Sequence, residues 1–229
     1  MVEFANTIKT LKKDLVASVD GNTKGLNKVL SSAIEDNGLP ICWLDRSEPT
    51  FQDSLQRISG SADYAVITHE DYRTEAETLY PPELVFTTLE IKGLQFNHVI
   101  VYLPFGRQDD QVHQVYAQLN NMLKSLDADV AKKSSLNEEE VAELLNPLIV
   151  NITRTLHSLW LVQPNSPKLA TLLEKVGYAE GLRHPITLTL SAATLEDWQK
   201  LCEQLLVKGK EQRAQLIYDK HLQGKLQDF

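Results

Sequence analysis

VFTTLEIKGLQFNHVIVYLP, residues 85–104, decides how this chain folds. It opens on an apolar run from Val85 to Thr88, passes through a turn at Lys92-Gly93 and re-enters an apolar run from His98 to Leu103. A β-branched run of that length suits a strand buried on both faces, the environment of a parallel sheet. Gly93 has no Cβ, so the backbone there can turn sharply or come close to a ligand. A second segment, residues 147–162 (PLIVNITRTLHSLWLV), is built in the same way. Its apolar run carries one Thr153-Arg154 pair and then re-enters a strand-like Ser158 to Val162. An arginine at a strand-helix edge presents a planar, permanently charged fork suited to phosphate.

Outward from these segments, helical and strand-like stretches alternate. Residues 2–16 and 24–36 read as helices, the second closed by Asn37-Gly38. Pro40 to Asp45 reads as a strand, Pro49 to Ser59 as a short helix and Asp63 to Thr68 as another strand. A charged helix then runs to about Leu79, and Pro81-Pro82 breaks the chain before Val85. Residues 108–126 read as a helix with Val112, Val115, Tyr116, Leu119, Met122 and Leu123 on one face. Asp127 to Asn137 reads as a polar loop, and Glu138 to Leu145 begins the helix that enters the second segment. This alternation predicts an α/β fold with a mostly parallel sheet and helices on both faces.

Beyond Pro164 the pattern changes. Ile186 to Leu190 reads as one more strand, and Thr194 with Asp197 three residues on opens a helix by reciprocal capping. The apolar face of that helix is Leu195, Trp198, Leu201, Cys202, Leu205 and Leu206. Gly209 interrupts, and a second helix runs to about Gln223 with Ala214, Ile217 and Tyr218 expected inward. This helical hairpin resembles a single tetratricopeptide-like unit. One such unit cannot bury its own face, so it packs on the sheet or begins a helical array.

At 229 residues the chain can bury a sizeable core in one α/β domain with an appendage. No apolar run approaches the roughly 20 residues of a membrane span, and none resembles a signal peptide. Cys42 and Cys202 lie far apart in apolar settings, which favours reduced thiols and a cytoplasmic location. Two cysteines and six scattered histidines suggest no metal cluster. The net charge of −8 argues against strong nucleic-acid binding by this chain alone, because phosphate neutralisation supplies most such affinity.

Together the two segments resemble motifs V and VI of superfamily 1 helicases of the UvrD/Rep type. Motif V there reads T-x-x-x-x-K-G-L-E-F before a hydrophobic strand, and Thr87, Lys92, Gly93, Leu94, Gln95 and Phe96 stand in that order here. Motif VI reads Y-V-A-x-T-R-A, against Ile149, Val150, Asn151, Ile152, Thr153, Arg154 and Thr155. Val2 to Asn6 (VEFAN) is similar to the helix that follows the N-Y-R-S signature of these enzymes. The resemblance implies that residues 1–163 are the second RecA-like domain of a larger helicase, with residues 164–229 as a C-terminal extension. It implies a three-layer RecA-like fold, with the helical hairpin appended.

In the resembled family ATP with Mg2+ sits between two RecA-like domains, the first of which carries the phosphate loop. Arg154 then matches the arginine that the second domain supplies to the γ-phosphate, and Gly93, Gln95 and Thr153 match nucleotide-side positions. Thr87, Thr88 and Lys92 match the part of motif V that touches single-stranded DNA, where a hydroxyl and free N–H groups bind phosphate without reading sequence. The implied partners are the N-terminal RecA-like domain of the same parent chain and single-stranded DNA. A protein partner at the helical hairpin is a further expectation; a membrane is not.

Several residues depart from the family pattern. Gln95 stands where a glutamate accepts from ribose hydroxyls, and keeps an acceptor oxygen without the charge. Leu89 replaces a histidine of motif V. Asp63 to Asp71 occupies the place of motif IV, where His69 falls near an arginine that meets the γ-phosphate; a neutral histidine cannot supply that charge. From Glu70 to Thr87 there are only 17 positions (87 − 70), too few for the duplex-contacting insertion of UvrD-type enzymes. No G-x-x-x-x-G-K-[ST] occurs, so the chain alone is expected not to hydrolyse ATP. Those departures also fit a rival expectation, a catalytically degenerate helicase-like domain that serves as a protein-interaction module.

Overall fold

The computed structural model describes residues 42–44, 50–104, 146–162 and 189–225. Within them five strands form one sheet: β1 (Cys42–Leu44), β2 (Tyr64–Thr68), β3 (Val85–Thr87), β4 (Phe96–Tyr102) and β5 (Thr155–Val162). The helices are α1 (Thr50–Ile58), α2 (Arg73–Leu79), α3 (residues 146–152), α4 (Leu195–Val207) and α5 (Glu211–Ile217). The strand order is β1-β5-β4-β2-β3, and every pairing is parallel. The α/β class and parallel sheet anticipated from the alternating pattern are therefore present.

The register places His98 between Tyr64 and Ser158, and Ile100 between Val66 and Trp160. β2 is buried along its whole length, and Val99 to Tyr102 of β4 are fully buried. That is why these strands read as unbroken apolar runs: both faces of the sheet are covered. On the outer side of β2, β3 aligns Val85 with Val66 and Thr87 with Thr68. The short stretch before it, Pro82–Leu84, is a 3-10 turn entered through Pro81, where the two prolines were expected to interrupt the chain. The charged helix after β2 opens as a 3-10 turn at Glu70–Tyr72 before becoming α2.

Three expectations for the C-terminal part change. Of Ile186 to Leu190 only Thr189 and Leu190 are described, and neither lies in a strand; Leu190 N–H donates instead to Arg57 O at the end of α1. Leu206 points outward at 53 % exposure, because the buried row of α4 is Trp198, Leu201, Cys202 and Leu205 and position 206 lies about 100° further round. Tyr218 is also exposed. The α-helical repeat ends at Ile217 and a π-turn over Tyr218–Leu222 follows, which turns Leu222 into the core in place of Tyr218. Expectations for residues 2–16, 24–36 and 108–145 lie outside the described residues.

α4 and α5 pack on each other and on the β3 side of the sheet. The side chain that binds them is Arg213, 3 % exposed, whose Nη1 donates to Pro82 O at 2.6 Å. Its guanidinium also lies 5.5 Å from the Phe86 ring centre. Further along, Lys220 Nζ and His221 Nε2 reach the buried Glu83 carboxylate at 2.9 and 2.7 Å, and the His221 ring stacks on Trp198 at 3.7 Å. No helix among the described residues is long and apolar enough to cross a membrane.

Candidate functional site

At the leading edge of the sheet, where β4 and β5 begin, the two singled-out segments meet. Phe96 N–H donates to Arg154 O at 3.0 Å, and Arg154 Nη1 donates to Leu94 O at 3.5 Å. The rest of the guanidinium is fixed from its own element: Nε donates to Val150 O at 3.1 Å and Nη2 to Thr153 Oγ1 at 3.2 Å. The Thr153 hydroxyl in turn donates to Val150 O at 2.9 Å. Among the described residues no carboxylate pairs with Arg154. Burial draws its guanidinium below its ordinary pKa, though an arginine stays charged at any physiological pH. Among the described residues three of its five N–H donors are thus engaged, which leaves two for another acceptor.

Gln95 lies beside it, exposed on the short path between Leu94 and Phe96. Its side chain borders a groove of about 700 Å³ that runs to α4 and is edged by Asp63, Asn97, Asp197 and Lys200. Arg154, Thr153 and Gln95 are therefore brought together. The Thr153 hydroxyl, however, is committed to Arg154 and Val150, so this residue orients the arginine.

Thr87 ends β3 and caps the turn that follows. Its N–H donates to Glu90 Oε2 at 2.8 Å, while its Oγ1 accepts from Glu90 N–H at 3.3 Å. Among the described residues, only the hydroxyl proton of this 8 % exposed residue is left for another acceptor. Burial pushes the Glu90 carboxyl up, but the Thr87 N–H together with Arg213 and Arg73 outweighs it and holds the group below its usual range. Arg213 Nη2 lies 3.3 Å and Arg73 Nη2 3.2 Å from the Glu90 oxygens, and Arg73 is also held by Glu77. Burial lowers the Arg73 pKa, yet its bond to Glu77 and the nearby carboxylates raise it overall.

Lys92 and Gly93 stand on the exposed part of the same turn. Gly93 has φ +84°, the left-handed conformation that glycine adopts without strain. Leu89 is 71 % exposed. Thr88 turns the other way, into a crevice of about 150 Å³ at the trailing edge, shared with Thr68, His69, Tyr72, Tyr102 and Asn151. The chain leaves β2 toward β3 on one side and β4 toward β5 on the other. A crevice between two such strand ends is where open α/β sheets bind ligands. Among the described residues, Asn151 Oδ1 is buried there with no hydrogen-bond partner. His69 Nδ1 accepts from Asp71 N–H at 3.3 Å and faces the Asp71 carboxylate; its ring meets Tyr72 edge-on.

The candidate residues thus fall on two edges of one sheet. Gln95, Thr153 and Arg154 gather at the leading edge, and Thr87 and Thr88 lie at the trailing edge. The Thr88–Gln95 connection, with Lys92 and Gly93, joins them. Sequence reasoning missed Glu90, Arg73 and Arg213. Glu90 had one local signal, Thr87 three residues before it in the capping spacing. Arg213 had none, because its partner lies 123 positions away. Among the described residues no group of three His, Cys, Asp or Glu side chains is placed to hold a metal ion. No family model, curated protein or solved structure matches this chain.

Proposed function

We propose that this chain is the C-terminal motor domain of an ATP-dependent, UvrD-like DNA helicase or translocase. In this reading it is a RecA-like domain that completes an ATP site with Arg154 and contacts single-stranded DNA through Thr87, Thr88 and Lys92. The observation that carries the reading is the meeting of residues 94–96 with Arg154 at one sheet edge, 58 positions apart (154 − 96), which the two helicase-like motifs require of each other.

The residues present fit a nucleotide phosphate. Among the described residues, Arg154 is clamped by carbonyls and a hydroxyl, meets no carboxylate and keeps two N–H donors unengaged. ATP with Mg2+ would supply the phosphoryl group, held by the phosphate-loop domain of the parent chain. Arg154 would place its charge against the γ-phosphate oxygens, a contribution worth about 10³–10⁵ in rate for such arginines. Gln95 would accept from the ribose. Gly93 lets the turn pass close to the nucleotide side, and the Thr88–Gln95 connection ties that side to the strand contacted at Thr87.

The test is ATP hydrolysis by the parent polypeptide that contains this domain, with and without single-stranded DNA, beside Arg154→Ala. The expected result is DNA-stimulated hydrolysis that falls by more than about a hundredfold in the variant with folding intact. A well-folded parent protein without hydrolysis would overturn the reading. One observation favours the rival interaction module: Glu90 occupies the Thr87 N–H that a nucleic-acid phosphate would otherwise meet. The same experiment decides between them.

A further inference from the structure

Three lysines converge on the exposed turn between β3 and β4, two of them from the link between α4 and α5. Lys92 belongs to the turn itself. The Lys208 stem crosses Gly93, where a Cβ would stand 3.8 Å from Lys208 Cδ. Lys210 Nζ reaches Leu89 O at 3.5 Å. None of the three is paired with a carboxylate among the described residues. The one carboxylate of the turn, Glu90, is neutralised from below by Arg213 and Arg73. The N–H groups of Lys92 and Gly93 make no hydrogen bond within the described residues. In a chain of net charge −8 this is a local concentration of unopposed cations and free donors.

We propose that Lys208 and Lys210 extend the single-stranded nucleic-acid surface of the turn, so that the α4–α5 link holds the phosphate backbone together with Lys92. The proposal rests on the nucleic-acid reading of Thr87, Thr88 and Lys92. It adds that the C-terminal helices contribute directly to binding. Lysine ammonium groups that meet no carboxylate among the described residues, with backbone N–H groups beside them, suit phosphates and carry no base readout. Gly93 lets the Lys208 stem lie close, and Arg213 keeps the helices seated over the turn.

The experiment is fluorescence anisotropy of a labelled oligo-dT with this 229-residue chain across a series of salt concentrations. Lys208→Gln/Lys210→Gln is compared with wild type, with Lys208→Arg/Lys210→Arg and with Lys92→Gln. Each phosphate contact on a single strand contributes about 0.7 to the slope of log affinity against log salt. The Gln double variant is expected to lose about 1.4 of that slope and bind about tenfold more weakly at low salt. The Arg double variant keeps the wild-type slope. Unfolding midpoints control for folding.

If wild type binds and Lys92→Gln weakens it while the Gln double variant does not, this proposal fails and the motif V reading stands. If wild type binds and neither variant changes the slope, the proposal fails as well. If oligo-dT does not bind and polyglutamate does not either, both fall. If polyglutamate binds with the slope loss and oligo-dT does not, the surface belongs to an acidic protein, which also overturns the proposal.

Discussion

Glu83 shows how one residue fastens a distant part of this chain. It is 2 % exposed, yet it is ionised, because Lys220 and His221 both reach its carboxylate. Burial pushes its pKa up, and the bonds from His221 and Lys220 outweigh that and leave it below 4.5, the ordinary value. A carboxyl held low in the folded state adds stability that is complete above the unfolded pKa and fades as pH falls through the folded value. Glu83→Gln is therefore expected to cost about 1–3 kcal/mol in urea unfolding at pH 7. That deficit should shrink below about pH 4.5, as the wild-type carboxylate itself takes up a proton. A deficit that stays constant down to pH 3 would show that the charge is not the cause. Nothing in the Pro-Pro-Glu-Leu stretch announced this role. It reads as a chain break, and its partner His221 lies 138 positions on.

At the scale of elements, the sequence was most legible where local chemistry alone sets the structure. The Thr194 to Asp197 spacing shows as a complete capping box: Thr194 Oγ1 accepts from Asp197 N–H at 3.2 Å and Asp197 Oδ2 from Thr194 N–H at 2.8 Å. Thr194→Ala is expected to lower stability by about 1 kcal/mol, read as a lower thermal midpoint with slightly reduced helical dichroism. No change would mean that packing of Trp198 and Leu205 alone holds the start of α4. β2, β4 and β5 were equally legible, since strands covered on both faces show continuous apolar runs. Tyr218 was misread because a 3.6-residue period was continued through a stretch that widens into a π-turn. Of the candidate site, what was legible is that Arg154 and the Leu94–Phe96 stretch meet, because each stands just before an apolar run that became a strand of the same sheet. The capture of Thr87 by Glu90 was hidden because a glutamate on a turn reads as solvated.

For the whole molecule, the C-terminal helices matter because they reach the sheet through ion pairs as well as apolar packing. Arg213 donates to Pro82 O and to Glu90, and Arg73 meets the same Glu90 from α2. Arg213→Met keeps the length and apolar stem of the side chain but leaves Glu90 with one cation and Pro82 O with no donor from position 213. Breaking this half-buried pair and removing the donor to Pro82 O is expected to cost about 1–3 kcal/mol in urea unfolding, with earlier proteolytic cleavage in the link between α4 and α5. A loss under about 1 kcal/mol would mean that Trp198, Leu205 and Ile217 seat the helices without it. The shortness of β3 has a consequence of its own. An outermost strand offers unpaired backbone groups to any passing chain, and a long flat one invites neighbouring copies to stack strand on strand. Here that strand, outermost among the described residues, is three residues long, buried, opened by a proline turn and closed by the Thr87–Glu90 cap. On this side the sheet presents no template, so a crowded solution of the protein should resist β-type self-assembly from that edge.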